Sequence, residues 1–153
     1  MCKVHELVRS ADAVLIQEHF ADLSTQDRYL RFGYTADHRC MNEYIFKSYK
    51  KEDHHWFGIF STTGLLIATC HVVMDFKTNI AEFGFTVLED YRGRGYAKDL
   101  FRSGLELCTK HKISRVVLFC LAQNAAMKSI AKSFGLTFAH ELGEIEAHID
   151  LTY

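Results

Sequence analysis

No stretch of this 153-residue sequence is apolar for long enough to cross a membrane, and the opening Met1-Cys2-Lys3-Val4-His5-Glu6 lacks the apolar length of a signal peptide. A cytosolic chain without a membrane partner is expected. The sequence also lacks an excess of either charge. Its 18 basic and 19 acidic residues leave a net charge of −1, so nothing in the balance draws a nucleic acid or an anionic surface. Cysteine pairs at C-x-x-C spacing are missing too. The five cysteines, Cys2, Cys40, Cys70, Cys108 and Cys120, form an odd set that excludes a tidy disulfide framework and a zinc knuckle, so reduced thiols and no metal are expected. Nine histidines include the pair His54-His55, but neighbours in a strand point to opposite faces and do not chelate together. Proline is absent altogether, and the sequence offers no physical reason for it.

What is present is apolar: 48% of the residues are hydrophobic, enough at this length for one compact domain spanning 1–153 with a real core. Lys3 to Val8 reads as a strand and Asp12 to Phe20 as a helix with Leu15, Ile16 and Phe20 inward. Ser24-Thr25-Gln26-Asp27 has the form of a helix start, and Met41 to Lys50 reads as a further helix. An antiparallel meander follows: Trp56 to Phe60, a turn at Thr62-Thr63-Gly64, Leu65 to Met74, a polar turn at Lys77-Thr78-Asn79, then Ile80 to Val87. From Ala97, the residues Leu100, Phe101, Gly104, Leu105 and Cys108 share one helical face, and Lys110-His111-Lys112 suits that helix's C-terminus.

Arg115 to Leu121 is a continuous apolar run, as in a central strand, and should lie beside Ile80 to Val87. Asn124 can cap a helix over Ala125 to Phe134, with Gly135 just past its end. Leu136 to His140 and Glu144 to Leu151 then close a hairpin around Gly143. In the last strand, Ile145, Ala147, Ile149 and Leu151 share one face and Glu144, Glu146, His148 and Asp150 the other. This last strand is expected to be half exposed, and it could pair with a second copy, so monomer and homodimer both stand.

The segment with most chemistry is Val87-Leu88-Glu89-Asp90-Tyr91-Arg92-Gly93-Arg94-Gly95-Tyr96-Ala97, which ends a strand, turns on two glycines and opens a helix. Backbone N–H groups of a glycine turn and a helix N-terminus point together, and can hold a phosphate. Arg92 and Arg94 would add charge-assisted contacts at the rim, although Arg94 and Lys98 read equally well as solvated charges. The dinucleotide pattern G-x-G-x-x-G fails because its third glycine would fall at Lys98, and no G-x-x-x-x-G-K-[ST] spacing follows.

These residues resemble the acyl-coenzyme A loop of the GNAT N-acetyltransferase superfamily, [Q/R]-x-x-G-x-[G/A], with Arg92, Gly95 and Ala97 in register. Asn124 followed eleven positions later by Gly135 matches a second segment of that family, and the element order β-α-α-β-β-β-α-β-α-β-β matches over nearly the whole chain. Leu23-Ser24-Thr25-Gln26-Asp27-Arg28-Tyr29-Leu30-Arg31-Phe32 looks like the LS-x-x-D-x-x-x-RF opening of bacterial protein-lysine acetyltransferases. The resemblance implies an α/β (α+β) fold: one mixed, mainly antiparallel twisted sheet of about seven strands, flanked by helices, with a splayed central pair holding the cofactor. It also implies acetyl-CoA as co-substrate and a primary amine as acceptor, with a protein lysine favoured and a small amine (polyamine, amino acid or aminoglycoside) as alternative. Phe85, Thr86 and Val87 would serve the pantetheine arm and acetyl carbonyl through their backbone. Arg92, Gly93, Arg94, Gly95, Tyr96 and Ala97 would hold the pyrophosphate, and Asn124 would bond the pantetheine amide while capping its helix.

Acetyl transfer from a thioester needs a positioned cofactor, a donor for the oxyanion and a base for the ammonium. Glu82, in a strand otherwise built from Ile80, Ala81, Phe83, Phe85 and Val87, is the candidate base, and similar proteins place a catalytic glutamate there. The alternative is that Glu82 points outward into solvent. Gly84 fits either a bulge that splays the strand or simple close packing. The family's acid, a tyrosine seven residues after the asparagine, is replaced by Ala131, which leaves Cys120, Tyr96 and His140 as candidates for proton return. Glu144, Glu146 and Asp150 could attract a cationic acceptor or form a solvated face. A non-catalytic acyl-CoA sensor or interaction module is the rival from another class, and a carboxylate at Glu82 argues against it.

Overall fold

Sheet edges and their partners decide the architecture. The computed structural model describes residues 3–34 and 36–153, so Met1, Thr35 and one of the five cysteines, Cys2, lie outside the description. The elements run β1 (Val4–Glu6), α1 (Asp12–Ala21), α2 (Thr25–Phe32), α3 (His38–Ser48), β2 (His54–Phe60), β3 (Leu66–Asp75) and β4 (Ile80–Val87). A 3-10 turn at Glu89–Tyr91 leads into α4 (Tyr96–Lys110), β5 (Arg115–Leu121), α5 (Ala125–Ser133), β6 (Thr137–Glu141) and β7 (Glu144–Asp150). Among the described residues the strands form one seven-stranded sheet in the order β1-β2-β3-β4-β5-β7-β6, antiparallel except for the β4–β5 pair. This is the mixed, mainly antiparallel α/β arrangement the sequence pattern implies.

Local chemistry explains most boundaries. The Ser24 hydroxyl accepts from the Asp27 N–H and starts α2, while Gly33, at φ 78°, ends it. α3 begins three residues earlier than the apolar pattern indicates because Asp37 caps it, accepting from the Cys40 N–H. β1 is shorter than expected: its register with β2 covers Val4 to Glu6, and a last hydrogen bond runs from the Leu7 N–H to the Trp56 carbonyl. β2 starts two residues early, at His54, which pairs with Val73. The closing strand β7 is not an edge: it lies between β5 and β6, so the edges are β1 and β6. A second copy pairing directly with the last strand is thereby excluded, and the physical reason is that both its ladders are already filled.

The sheet separates two cores. On one side Ala81, Phe83 and Phe85 of β4 pack with Leu100 and Phe101 of α4 and with Met127 and Ile130 of α5. On the other, Trp56 of β2 and Leu66 of β3 pack with Ile16 and Phe20 of α1 and Met41 and Ile45 of α3. Side chains alternate along a strand. Glu82, Gly84 and Thr86 therefore face the α1–α3 side.

A buried polar chain fixes α1 to that side of the sheet. The His19 Nδ1–H donates to the Leu66 carbonyl at 2.8 Å, which leaves Nε2 to accept from the Thr86 hydroxyl, also at 2.8 Å. Thr86 in turn accepts from Thr69. Burial holds the His19 imidazole down at about 4, with the Leu66 carbonyl and Asp22 pulling weakly the other way.

Two stability predictions follow from this packing. Gly104 lets α4 approach β4: a Cβ there would lie 2.5 Å from the Phe83 ring. Gly104→Val should cost about 1–3 kcal/mol in a urea titration, the usual cost of overpacking. For His19, the folded imidazole binds its proton only near pH 4 while the unfolded one does so near 6.5. The unfolded state thus holds more protons between those values, and stability should fall by up to about 3 kcal/mol as pH drops through that window. In His19→Gln this slope should flatten, measured by denaturation at pH 7, 5.5 and 4.

Candidate active site

β4 and β5 are hydrogen-bonded over only three residue pairs, Ile80–Arg115, Ala81–Val116 and Glu82–Val117. β3 pairs with β4 along all of β4, and β7 pairs with β5 along all of β5. Two stiff half-sheets are therefore joined at one end and diverge from Glu82 onward. The wedge between them is a cavity of about 760 Å³, with Glu82 to Val87 on one wall, Phe119 to Leu121 on the other, and α2, the glycine loop and the start of α5 around the mouth. From Gly84 to Val87 the β5-facing edge of β4 borders this space instead of a strand, so its backbone groups are available to a ligand.

The loop at the mouth has the expected form. Gly93 and Gly95 sit at φ 75° and 84°, values that L side chains avoid, and a Cβ on either would meet nothing within 4 Å. Gly95 is the N-cap of the 15-residue α4 and offers no side-chain cap, so the first N–H groups of that helix face the cavity mouth beside Tyr96, Ala97 and Lys98. Arg92 makes contacts that the sequence pattern does not reveal. Its guanidinium pairs with the Asp27 carboxylate at 2.5 Å and its Nε donates to the Val87 carbonyl, which ties the loop to α2 and to the end of β4. Arg94 donates to the Asp90 carbonyl and lies over the Tyr91 ring.

Glu82 stands on the cavity wall at the last paired position before the strands part. Its carboxylate reaches the open cleft, yet the surrounding walls strip enough water to push its pKa up, with the Arg31 guanidinium pulling it back. Gly84 is not a bulge: it lies in unbroken register opposite His71. The reason for glycine is close approach, since a Cβ there would come within 2.7 Å of the Arg31 guanidinium laid across it. Arg31 also lies over the rings of Phe32 and Tyr44 and donates to the Tyr44 hydroxyl at 3.4 Å. Asp27, Arg31 and Phe32, three residues of the α2 opening, thus brace the loop, cover Gly84 and join the aromatic core beside Phe20.

Phe85 turns its ring into the α4 core and the Thr86 hydroxyl is held by His19, so these residues and Val87 face the cavity through their backbone. Asn124 is buried, and its Oδ1 accepts from the Met127 N–H at 3.1 Å, capping α5 at the cavity rim. Tyr96 and Cys120 both line the cavity, and burial pushes the Cys120 thiol up. His140 does not join them: it sits exposed on the edge strand β6, away from the cavity lining. Of the acidic residues on the last strand, Glu144 reaches the cavity, whereas Asp150 is committed to Arg115 at 2.6 Å. Tyr44 and Phe119 also line the cavity and carried no motif by which to find them. Among the described residues no three His, Cys, Asp or Glu side chains form a metal-sized group, and no helix is long and apolar enough to cross a membrane.

Known proteins share this architecture. The crystal structure of the GNAT domain of S. lividans PAT superposes with a TM-score of 0.86 at 20% identity, over 98% of this chain and 90% of that one. Spermidine N-acetyltransferase from Vibrio cholerae, in complex with CoA and spermine, gives 0.79 at 14% identity over 97% and 95%. In sequence the chain is 26% identical over 133 residues to acetyltransferase Pat of Mycolicibacterium smegmatis, a match that covers 85% of this chain and 40% of that protein. The chain therefore spans well under half of that curated relative. The family described as acetyltransferase (GNAT) domain matches residues 6–137. With the divergent β4–β5 pair, the glycine loop at the start of α4 and that match together, the chain belongs to the GNAT acetyltransferase family, whose members take their acetyl group from acetyl-CoA.

Proposed function

We propose that the chain transfers an acetyl group from acetyl-CoA to a primary amine, by direct attack on the thioester, with a protein lysine as the favoured acceptor. The observation that carries the reading is the position of Glu82: a carboxylate of raised pKa at the point where β4 and β5 part, on the wall of the cavity. The pyrophosphate is assigned to the backbone N–H groups of Gly93 to Ala97 and the first turn of α4, with Arg94 at the rim and Arg92 bracing the loop through Asp27. The pantetheine arm is assigned to the free edge of β4 at Phe85, Thr86 and Val87, facing Asn124 across the wedge. A β4 N–H turned toward the cleft serves the tetrahedral oxyanion.

An acceptor lysine enters as an ammonium, with an ordinary pKa of about 10.4, and must lose a proton before it attacks. Glu82 takes it, and its raised pKa brings it nearer the working range of a base. Arg31 bears on the choice of acceptor. A polyamine would bring several ammonium groups toward a guanidinium fixed on the cavity wall, whereas a lysine side chain brings one, on a slim apolar stem. The α2 opening that holds Asp27 and Arg31 is also the segment that resembles protein-lysine acetyltransferases.

Gly95→Glu should abolish binding of coenzyme A, because close backbone approach to a pyrophosphate leaves no room for a side chain there. Thermal stabilisation by coenzyme A in a folded Gly95→Glu variant, equal to that of the wild type, would remove the loop from the site. Glu82→Gln should keep acetyl-CoA binding and lower the rate by ~10²–10⁴ near neutral pH, with partial recovery as the amine deprotonates unaided at higher pH. The wild-type rate should rise with pH across the elevated Glu82 pKa. A pH–rate profile of both forms with a blocked lysine peptide checks this, and a wild-type rate for Glu82→Gln throughout would dismiss Glu82 as the base.

A further inference from the structure

From the cavity wall beside Glu82, a line of polar side chains runs over the α3-facing side of the sheet from β3 to β2. Arg31 donates to the Tyr44 hydroxyl, and Tyr44 lies 2.5 Å from His71 Nδ1. His71 Nε2 is 3.0 Å from His54 Nδ1, and His54 Nε2 is 3.9 Å from the Asp53 carboxylate. His71 is 1% exposed and stacked flat on Trp56, with ring centroids 4.0 Å apart. The line ends at the surface: the Asp53 side chain is 44% exposed.

The charges at the two ends, a guanidinium and a carboxylate, favour one direction for the hydrogens between them. A guanidinium can only donate and a carboxylate can only accept. Because Arg31 donates to the Tyr44 oxygen, the Tyr44 O–H is free to donate to His71 Nδ1. His71 then carries its proton on Nε2 and donates to His54 Nδ1, and His54 carries its own on Nε2, facing Asp53. Both rings stay neutral, since burial holds His71 well below its ordinary range and lowers His54 as well. The charged and titratable groups around them agree with that state: Arg31 from α2 and His55 from β2 disfavour a charge on His71, while Lys51 and His55 oppose and Asp53 favours one on His54. From β4, Glu82 shares the face of Gly84, the residue opposite His71.

We propose that Tyr44, His71, His54 and Asp53 form a proton exit that drains the cavity during turnover, an inference that rests on Glu82 acting as the base for amine acetylation. With acetyl-CoA and an acceptor both seated, the cavity mouth is filled, and the proton taken up by Glu82 has no open route to solvent there. The exit runs over the α3-facing side of the sheet instead. A proton carried from Glu82 to the Tyr44 oxygen by a cleft water, both residues lining the cavity, is matched by transfer of the Tyr44 hydrogen to His71 Nδ1, of the His71 Nε2 hydrogen to His54 Nδ1, and of the His54 Nε2 hydrogen to Asp53 or bulk water. Each ring and the phenol gain one proton and lose one, and Glu82 returns to the carboxylate. In the resting state all hydrogens point outward, so exit needs no prior rotation; each passage leaves both rings as Nδ1–H tautomers, and they return to the Nε2–H form before the next turnover. The resting line therefore suits proton removal from the amine. Tyr44 lines the cavity, and the two histidines act through it as positioning residues.

The test uses the surface end, where substitution spares the core. His54→Phe and Asp53→Asn are compared with the wild type and with His55→Phe, a control on the same strand facing the other way. Nitrogen-15 spectra of the histidine rings, with no substrate present, should show Nε2–H tautomers at His71 and His54, and exchange of the His71 ring proton with solvent should slow about tenfold or more in His54→Phe. With acetyl-CoA and a blocked lysine peptide, kcat near pH 7 should fall about tenfold in His54→Phe, less than the ~10²–10⁴ expected for losing the base itself, with KM for acetyl-CoA unchanged and recovery at high pH. Asp53→Asn should show a smaller loss and His55→Phe none. An Nδ1–H tautomer at His71, or wild-type exchange and wild-type kcat in His54→Phe, would overturn the exit while leaving Glu82 untouched. If the wild-type chain acetylates no amine at all, the proposed function fails, and the exchange measurement still decides whether the line conducts.

Discussion

The three-residue seam between β4 and β5 is the constraint on which the rest of the molecule depends. A mixed sheet normally gains by extending each ladder, yet here β4 is held by β3 over its whole length and β5 by β7 over its whole length, while the two share only Ile80–Glu82 with Arg115–Val117. Leaving that seam short costs ladder hydrogen bonds, and it leaves one strand edge unpaired in the middle of a sheet. The surrounding structure offsets this by filling both faces of the half-sheets. The Phe83, Phe85 and Phe101 cluster grips β4 from the α4 side, and the His19–Thr86–Thr69 chain grips it from the α1 side.

The same divergence explains where charge is tolerated. Glu82 and Arg31 sit where the sheet has opened, so neither is fully stripped of water, and neither is left without a counter-charge in the same cleft. Arg31 is kept in place by what it covers: the absent side chain of Gly84, the rings of Phe32 and Tyr44, and the Tyr44 hydroxyl. Arg92 and Asp27 repeat the pattern at the other end of the cleft, where an ion pair between α2 and the loop holds a glycine-rich turn that has few contacts of its own. α2 has no fully buried residue, and what holds it to the site is this pair of arginines together with the Phe32 ring packed on Phe20 and Tyr44. That makes it the element that links the Gly84 wall of the cleft to the glycine loop.

Tautomers tell a related story. Two histidine-centred chains run through this protein, and in each the end groups choose which nitrogen holds the proton: the Leu66 carbonyl for His19, and Arg31 through Tyr44 for His71. The first closes on threonine hydroxyls inside the core and is structural. The second links a cavity to the surface. Neutral imidazole in a low-dielectric interior stores no charge but keeps a donor and an acceptor, which is why burial lowers both pKa values without disrupting either chain.

What the sequence determined by itself was whatever depends on short-range chemistry. Ser24 and Asn124 as caps, Gly93 and Gly95 at the turn, the apolar face of α4 from Leu100 to Cys108, and the alternating strands β3, β4 and β7 follow from backbone geometry and side-chain period within a few residues. The glycine loop and the position of Glu82 within β4 were legible for the same reason. Only the tertiary structure decided what depends on residues far apart in the chain. It shows that Gly84 is glycine because Arg31 crosses it, that Arg92 is engaged by Asp27, that His140 stands outside the cavity and that β7 is internal. Tyr44, His71 and His54 come from three separate elements, and nothing in their local sequence distinguishes them from ordinary core and surface residues. Their alignment exists only because α3 packs over the β2–β3 pair, so its information resides in distances that no sequence window contains.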